Sequence, residues 1–348
     1  MLAPTSPSPL TASRRYARRL LPVLALTTLM LGTACHRGGE SDAARWKAIG
    51  PGNASIRALA VAPRTPRVVY AGTSDAGLLA RTPTDTAWRG VPVDAAGRTE
   101  VRALAVDPRD AATVYVGTTA GRLFKSTDAG ATWTDTAPAD RTAGAPIFAV
   151  AIDPVDSRRI YLGTSGGAVL ASTDAGTTWT AGVYPAGLTD IVSLVVDPAS
   201  PTTLYAATAG AGVARSGDGG RTWQPMRAGL ATLAVMALAL DPRPPQTLYA
   251  ATSGAGVYVA APDGGWRAAN HGLANPVVWA LAVDPVHAGE VYAGTSGGAV
   301  FVSGDRGGEW RLVAPELTRT VWALAIDDAA HVLYAGTSGT GVFALARP

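Results

Sequence analysis

The sequence predicts an all-β chain, a seven-bladed β-propeller built from four-stranded antiparallel blades. A phrase of the type VYAGT recurs seven times, with successive tyrosines 42 to 46 residues apart: Tyr70, Tyr115, Tyr161, Tyr205, Tyr249, Tyr292 and Tyr334. Seven tryptophans recur at a similar spacing: Trp46, Trp88, Trp133, Trp179, Trp223, Trp266 and Trp310. Repeats of about 40–50 residues with several short apolar runs are typical of propeller blades.

Each repeat contains four short runs that we interpret as strands A to D. In the second repeat, strand A covers 101–106, strand B 113–117 and strand C 122–125, and strand D begins near Trp133. Turn residues separate them at Asp107–Pro108, at 118–121 and at 128–130. After residue 34 the sequence shows no helical period.

The two repeat series are offset, and this offset predicts how the ring closes. Trp46 precedes the first strand A, and no tryptophan follows the seventh VYAGT phrase. The segment at Trp46 is therefore expected to supply the outermost strand of the last blade. Closure of this kind leaves only short, protected sheet edges.

The turn from strand C to strand D has the form Ser-x-Asp-x-Gly-x-x-Trp. It is intact in four repeats, and the aspartates are Asp128, Asp174, Asp218 and Asp305. It is degenerate near Asp42, Asp85 and Asp263. An aspartate in a turn accepts backbone N–H bonds, and glycine permits a positive φ. Because these residues recur from blade to blade, we interpret them as structural rather than as catalytic acids or calcium ligands. The same holds for the Asp-Pro pairs at Asp107, Asp153, Asp197, Asp241 and Asp284.

These turns resemble the Asp-box, or bacterial neuraminidase, repeat. That repeat is found in sialidases, sortilin-type receptors, xyloglucanases and the photosystem II assembly-factor propellers. The resemblance covers nearly all of residues 46–348, and a single ring of short blades is most similar in layout to the assembly-factor and sortilin-like propellers. It implies the fold and not the function, because the group contains both enzymes and binding proteins.

The first residues have the layout of a secretory signal. Four arginines lie between residues 14 and 19, an apolar run covers 20–31, and small residues precede Cys35. The run is too short to span a bilayer comfortably. The placement of the single cysteine resembles a bacterial lipoprotein signal, in which Cys35 is lipidated, although Gly32 stands where that family usually has Leu, Val or Ile. Ordinary cleavage after Ala34 is the alternative.

The predicted organisation is therefore a signal peptide at 1–34, a tether at 35–45 and the propeller at 46–348. We expect an exported lipoprotein anchored in the membrane of the bacterial cell envelope, or else a soluble periplasmic or secreted protein. Without the four arginines of the signal, the 29 basic residues fall to 25 against 26 acidic ones. This near-neutral charge argues against nucleic acid as a partner.

The composition also predicts no metal site and no cofactor. The chain has one cysteine and four scattered histidines, without the spacing of a metal motif. We expect a monomer whose partner is an envelope protein or a glycan, with the membrane reached only through the lipid anchor.

Residues that break the repeat at equivalent positions are the candidates for function. The second residue of strand A varies most, as Arg57, Arg102, Phe148, Val192, Met236, Trp279 and Trp322. Ring closure makes the seventh and first blades neighbours, so the two tryptophans, two arginines and one phenylalanine should form a crescent at the channel mouth, opposite the Asp boxes. Arginine suits a carboxylate and tryptophan a planar group, as in a sugar acid or a peptide. Alternatively, these side chains plug the channel or pack between the blades.

An enzymatic function has weaker support. A glycosidase needs two carboxylates flanking a cleft, and the best pair is Glu100 and Asp190, each directly before a strand A but two blades apart. The sequence lacks the Arg-Ile-Pro phrase of sialidases, and no blade carries a long insertion that could form an active-site loop. The sequence favours a non-enzymatic docking, assembly or ligand-binding propeller. A sialidase-like or xyloglucanase-like glycoside hydrolase and a lectin-like propeller are the alternatives.

Overall fold

The computed structural model describes residues 45–347 except positions 66, 95, 96, 98, 143, 185, 186, 188, 315 and 316. The predicted signal peptide, the lipidation site Cys35, the tether up to residue 44 and Asp42 lie outside the described residues. Within those ranges the chain forms seven antiparallel sheets of four strands each. The predicted all-β, seven-bladed propeller is confirmed.

The strands are numbered in chain order, and the first of them, β1 (Lys47–Gly50), belongs to the last blade. Blades 1 to 3 contain, four to a blade, β2 (Ile56–Val61), β3 (Val69–Thr73), β4 (Leu78–Arg81), β5 (Arg89–Val91), β6 (Val101–Val106), β7 (Val114–Thr118), β8 (Leu123–Ser126), β9 (Thr134–Asp135), β10 (Ile147–Ile152), β11 (Ile160–Thr164), β12 (Val169–Ser172) and β13 (Thr180–Ala181). Blades 4 to 6 contain β14 (Ile191–Val196), β15 (Leu204–Thr208), β16 (Gly212–Ser216), β17 (Gln224–Met226), β18 (Val235–Asp241), β19 (Thr247–Thr252), β20 (Gly256–Ala260), β21 (Trp266–Ala268), β22 (Val278–Val283), β23 (Val291–Thr295), β24 (Val300–Ser303) and β25 (Arg311–Ala314). Blade 7 contains β26 (Val321–Asp327), β27 (Val332–Thr337), β28 (Val342–Ala346) and, at its outer edge, β1.

The first strand closes the ring as the offset of Trp46 predicts. β1 pairs antiparallel with β28, with Lys47 opposite Ala344. Trp46 is buried in one cluster with Leu345 of blade 7 and Tyr292 of blade 6. The outer edge of blade 7 is therefore completed by the other end of the propeller sequence.

The structure departs from the predicted elements in two small ways. In blade 2, strands B and C both begin and end one residue later than predicted, at Val114–Thr118 and Leu123–Ser126. A single helical turn, α1 (Ala139–Thr142), lies between β9 of blade 2 and β10 of blade 3 and is closed by the bond from the Thr142 N–H to the Pro138 carbonyl. No helix among the described residues is long and apolar enough to cross a membrane.

Neighbouring blades pack through the first residue of strand A and a glycine of the preceding VYAGT-type phrase. A Cβ atom on Gly117 would lie 2.6 Å from Cγ2 of Ile147, and one on Gly163 would lie 2.5 Å from Cγ2 of Ile191. Both isoleucines are fully buried. Glycine at these positions therefore allows the blades to approach closely, and the core consists of such contacts repeated around the ring.

The intact Asp boxes satisfy their hydrogen bonds within the turn. The Ser126 hydroxyl donates to Asp128 over 2.7 Å, and the Thr132 hydroxyl and N–H donate to the same carboxylate over 2.5 and 2.8 Å. These bonds, the Thr132 hydroxyl first, lower the pKa of Asp128 to about 2. The Gly130 N–H donates to the Ser126 hydroxyl at a φ of 85°, which favours glycine.

The turns divide between two faces of the ring because all strands within a blade are antiparallel. The Ala129 N–H of the Asp box donates to the Ala112 carbonyl of the A–B turn, so these turns share one face. The Thr119 N–H of the B–C turn donates to the Glu100 carbonyl before strand A, so these segments share the other face. Strand A therefore begins on the face opposite the Asp boxes, as predicted.

Candidate functional site

The second residue of every strand A stands at an irregularity in the ladder between strands A and B. In blade 2, Val101 is opposite Thr118 and Ala103 is opposite Gly117, so Arg102 has no partner residue. The same shift falls on the equivalent residue in each blade: Arg57, Arg102, Phe148, Val192, Met236, Trp279 and Trp322. A bulge of this kind bends the strand and redirects the side chain.

These seven side chains together line one cavity of about 120 Å³ at the channel mouth. The five residues predicted to form a crescent, which we call the mouth crescent, are therefore brought together: Trp279, Trp322, Arg57, Arg102 and Phe148. Val192 and Met236 complete the ring on the opposite side. The role of the mouth crescent in binding stays a prediction, and the sequence does not reveal the bulge at which its residues stand.

Within the mouth crescent, each arginine lies against an aromatic ring. The rings of Trp279 and Trp322 lie 4.5 Å apart between centroids and are tilted by 57°. The guanidinium carbon of Arg57 lies 4.7 Å from the Trp322 ring centroid. That of Arg102 lies 5.2 Å from the Phe148 ring centroid. Both distances fall within the range of a cation–π interaction, so the rings hold the two guanidinium groups at the mouth.

Electrostatics at the mouth favour an anion. Burial, followed by the charge of Arg102, lowers the pKa of Arg57. Arg102 has an ion pair with Glu100 at 3.5 Å, whereas Arg57 has none among the described residues. Arg57 Nε and Trp322 Nε1 are buried without a hydrogen-bond acceptor in the described part of the chain. Unpaired buried donors are unfavourable, so an acceptor that reaches them would bind favourably.

Below the mouth the channel carries a ring of aliphatic side chains, a feature that sequence reasoning missed. A cavity of about 240 Å³ is lined by the fourth residue of each strand A, namely Leu59, Leu104, Val150, Leu194, Leu238, Leu281 and Leu324. The signal was present in the ALAV-type phrases, because the second and fourth residues of a strand lie on the same side. The site therefore has a cationic and aromatic rim above a ring of aliphatic side chains.

The predicted alternative catalytic pair is not brought together at this site. Glu100 lies before β6 of blade 2 and contacts Arg102. Asp190 lies before β14 of blade 4 and accepts a hydrogen bond from the Gly166 N–H at 2.9 Å. Blade 3 lies between them, and neither carboxylate lines either of the two channel cavities.

A second group of polar side chains lies between blades 6 and 7, on the face of the ring that carries the Asp boxes, which we call the box face. Asp284, His287 and Glu290 place ligand atoms within 4.8 Å of one another, a spacing that could suit a metal ion. The guanidinium of Arg347, however, contacts Asp284 directly and lies 3.8 Å from Glu290. The arginine already compensates these charges, so we interpret the group as an ion-pair network.

The closed ring, its Asp boxes and its cationic channel mouth define a single-ring Asp-box propeller. The chain belongs to the family of the Photosynthesis system II assembly factor YCF48, whose family model matches residues 46–321. A search among curated proteins finds no match.

Solved structures with this fold include both assembly factors and enzymes. A structure of YCF48 bound to D1 peptide has a TM-score of 0.67 at 15% identity and covers 89% of this chain and 96% of that one. YCF48 from Cyanidioschyzon merolae has a TM-score of 0.62 at 17% identity, covering 87% and 98%. The Niastella koreensis GH74 enzyme has a TM-score of 0.66 at 21% identity, covering 86% of this chain and 53% of the enzyme. The chain thus spans about half the length of that enzyme, and at these identities the likeness shows the fold alone.

Proposed function

We propose that the protein is a non-enzymatic docking propeller that binds a segment of a partner protein at the mouth crescent. The observation that carries this proposal is the pair Arg57 and Trp322, which are stacked at the mouth with unpaired buried donors. Membership of an assembly-factor family supports it, as does the binding of a D1 peptide by a YCF48 propeller.

The chemistry of the rim and of the aliphatic ring below it indicates what such a segment carries. Arg57 and Arg102 suit a carboxylate, because guanidinium presents a planar fork of donors. The face of Trp279 suits a planar or apolar group beside that carboxylate. The ring of leucines and valine below has room for a small apolar side chain. A peptide segment in which an acidic residue stands next to an apolar one would fit the arginines, the face of Trp279 and the aliphatic ring below.

The mouth can be tested by site-specific crosslinking. A photoreactive amino acid placed at Met236 is expected to capture a defined polypeptide from envelope extracts of the source cell, and mass spectrometry would identify the crosslinked segment. Placed at Thr132, on the box face, it should not capture that segment. For the corresponding synthetic peptide, Trp322→Ala is expected to weaken binding about 30-fold, because a central aromatic anchor contributes roughly 2 kcal/mol or more.

Three results would contradict the docking proposal. One is equal capture from Met236 and Thr132, and the second is a peptide affinity that Trp322→Ala leaves unchanged. The third is turnover of fluorogenic glycosides or sialosides that disappears in Glu100→Gln and Asp190→Asn, which would favour the glycosidase alternative. A glycan-array signal lost on Trp279→Ala would favour the lectin-like alternative.

We also propose that the protein is exported and anchored in the cell envelope through a lipid on Cys35. Support comes from the order of arginines, apolar run and small residues ahead of this single cysteine. Each buried methylene of an acyl chain contributes about 0.8 kcal/mol, so more than one chain anchors a protein stably. Cys35→Ser is therefore expected to move the protein from the membrane fraction to the soluble fraction, measured by fractionation and immunoblotting. If the variant stays with the membranes at the wild-type level, the anchor proposal is wrong.

A further inference from the structure

Each VYAGT-type phrase contributes one tyrosine, which we call the blade tyrosine. In blades 2 and 3 the Asp box covers the blade tyrosine of the preceding blade. The Tyr70 hydroxyl donates to the Ala129 carbonyl over 3.0 Å, and the Tyr115 hydroxyl donates to the Ala175 carbonyl over 3.1 Å. Lys125, on the strand next to Tyr115, also donates to the Ala175 carbonyl over 3.1 Å. The box of one blade thus supplies a carbonyl acceptor to two donors of its neighbour.

The boxes of blades 4 and 6 cover the preceding tyrosine by packing. A Cβ atom on Gly220 would lie 3.6 Å from the Tyr161 ring, and one on Gly307 would lie 3.9 Å from the Tyr249 ring. Both tyrosines are buried, at 3% and 0% exposure. Among the described residues, each intact box therefore shields the tyrosine of the blade before it.

Blade 5 departs from this pattern. Its box has Ala260 in place of the serine. It is also one residue shorter than the box of blade 3: Trp266 follows Ala260 by six positions, whereas Trp179 follows Ser172 by seven. Asp263 accepts only the Gly265 N–H over 3.0 Å among the described residues. Blade 5 therefore lacks one residue of the turn that covers the tyrosine of the preceding blade in the four intact boxes.

The tyrosine that this box should cover is Tyr205 of blade 4, and it is only half-buried, whereas the other six blade tyrosines are buried. A groove of about 510 Å³ lies beside it between blades 4 and 5. Its walls include Tyr205, Arg215, Met226, Leu248, Ala260 and Pro262. The groove opens near the A–B and C–D turns, and so on the box face rather than at the channel mouth.

The groove contains two donors without acceptors in the described part of the chain. Arg215 is the cross-strand partner of Tyr205 and corresponds to Lys125 of blade 2. Neither the Tyr205 hydroxyl nor the Arg215 guanidinium has a hydrogen bond or ion pair to a described residue. Arg215 is exposed and is the one charged side chain among the described residues that line the groove. The charge of the groove therefore favours an acidic occupant.

We propose that this groove binds an acidic, turn-forming segment of a partner protein that takes the place of the missing part of the blade 5 box. A main-chain carbonyl of the segment accepts from the Tyr205 hydroxyl, as Ala129 accepts from Tyr70. A carboxylate pairs with Arg215, and a small apolar residue packs on Met226 and Pro262. The repeats of the protein itself show the required chemistry, because residues 172–179 fill the equivalent space in blade 3.

The probe for this site is a fluorescently labelled cyclic peptide that contains STDAGTTW, the sequence of residues 172–179. We expect it to bind the full chain saturably in fluorescence anisotropy. Arg215→Gln should weaken the affinity about tenfold, because it removes the charge that pairs with the carboxylate, and Tyr205→Phe about fivefold, because it removes a neutral hydrogen-bond donor. Lys125 occupies the position in blade 2 that is equivalent to Arg215, and the box of blade 3 covers it. Lys125→Gln should therefore leave the affinity for the peptide unchanged.

A second variant separates loss of the site from loss of the fold. Residues 260–266 are replaced by STDAGTTW, which restores a full box and should fill the groove and abolish binding, with an unchanged far-ultraviolet circular dichroism spectrum. Trp322→Ala should leave the affinity for this peptide unchanged, so failure here is distinguishable from failure at the mouth crescent. Each of three results would overturn the proposal: no saturable binding of the peptide to the wild-type chain, the same peptide affinity for Arg215→Gln as for the wild type, or undiminished peptide binding by the variant with the restored box.

Discussion

Replacing Arg347 by glutamine is expected to lower the free energy of unfolding by about 3–5 kcal/mol, because it leaves the buried carboxylate of Asp284 without its cation. The Arg347 side chain is 4% exposed and contacts Asp284, whose side chain is fully buried. Glu290 lies 3.8 Å and Asp328 3.6 Å from the same guanidinium. Burial lowers the pKa of Arg347, as expected for a cation removed from water.

The position of this network makes the loss larger than that of an ordinary ion pair. Asp284 and Glu290 belong to the A–B turn of blade 6, whereas Arg347 follows β28 of blade 7 and donates its N–H to the His331 carbonyl over 2.7 Å. The arginine therefore joins two blades. Removing it releases a contact between sheets and also leaves Asp284 without its closest cation.

Urea unfolding followed by tryptophan fluorescence at neutral pH would measure this change. Arg158→Gln is the matched control, because Arg158 is 73% exposed and pairs with Asp156 at 3.3 Å, where a loss below about 1 kcal/mol is expected. The double variant Arg347→Gln, Asp284→Asn should recover part of the loss, since the uncompensated carboxylate is gone. Equal and small losses for Arg347→Gln and Arg158→Gln would show that the network does not stabilise the ring.

Trp310→Ala is expected to lower the free energy of unfolding by a comparable amount, about 3–5 kcal/mol. Trp310 is 2% exposed and packs against Tyr249 and Phe301. Its indole N–H donates to the Ala269 carbonyl over 2.8 Å. Because Ala269 follows β21 of blade 5, truncation leaves a cavity between blades 5 and 6 and an unpaired carbonyl beside it.

Trp133 provides the internal comparison for this prediction. It occupies the same position in the box of blade 2, but it is only partly buried and its indole nitrogen has no acceptor among the described residues. Trp133→Ala should therefore destabilise the protein less than Trp310→Ala in the same urea experiment. A loss for Trp133→Ala as large as that for Trp310→Ala would contradict the importance assigned to burial and to the hydrogen bond.

The sequence predicts the ring well because its signals repeat in every blade. The offset of Trp46 was sufficient to predict the pairing of β1 with β28. Strand ends were less predictable, because Thr118 both ends strand B and binds the following turn, where its hydroxyl donates to the Arg122 carbonyl over 3.2 Å. The turn α1 was missed because four residues are too few to show a helical period.

Features of the candidate sites were also predictable where they depend on the repeats, and not where they depend on local loop geometry. The mouth crescent followed from variable residues and ring closure, and the contact of Arg57 with Trp322 crosses that closure. The ion pair of Arg102 with Glu100 and the bond of Asp190 to Gly166 depend on local loop geometry that no repeat encodes. The groove beside Tyr205 had a sequence signal, the shortened box of blade 5, but its meaning required the neighbouring blade in three dimensions.

The bulge in each strand A also explains why one position tolerates such different residues. A residue outside the ladder has no cross-strand partner to match, so its side chain can change while the sheet stays paired. Arginine, phenylalanine, valine, methionine and tryptophan all occur at this one position in the chain. Mutations here can accumulate without loss of the scaffold. The ring can therefore change the charge and shape of its channel mouth while its scaffold is kept.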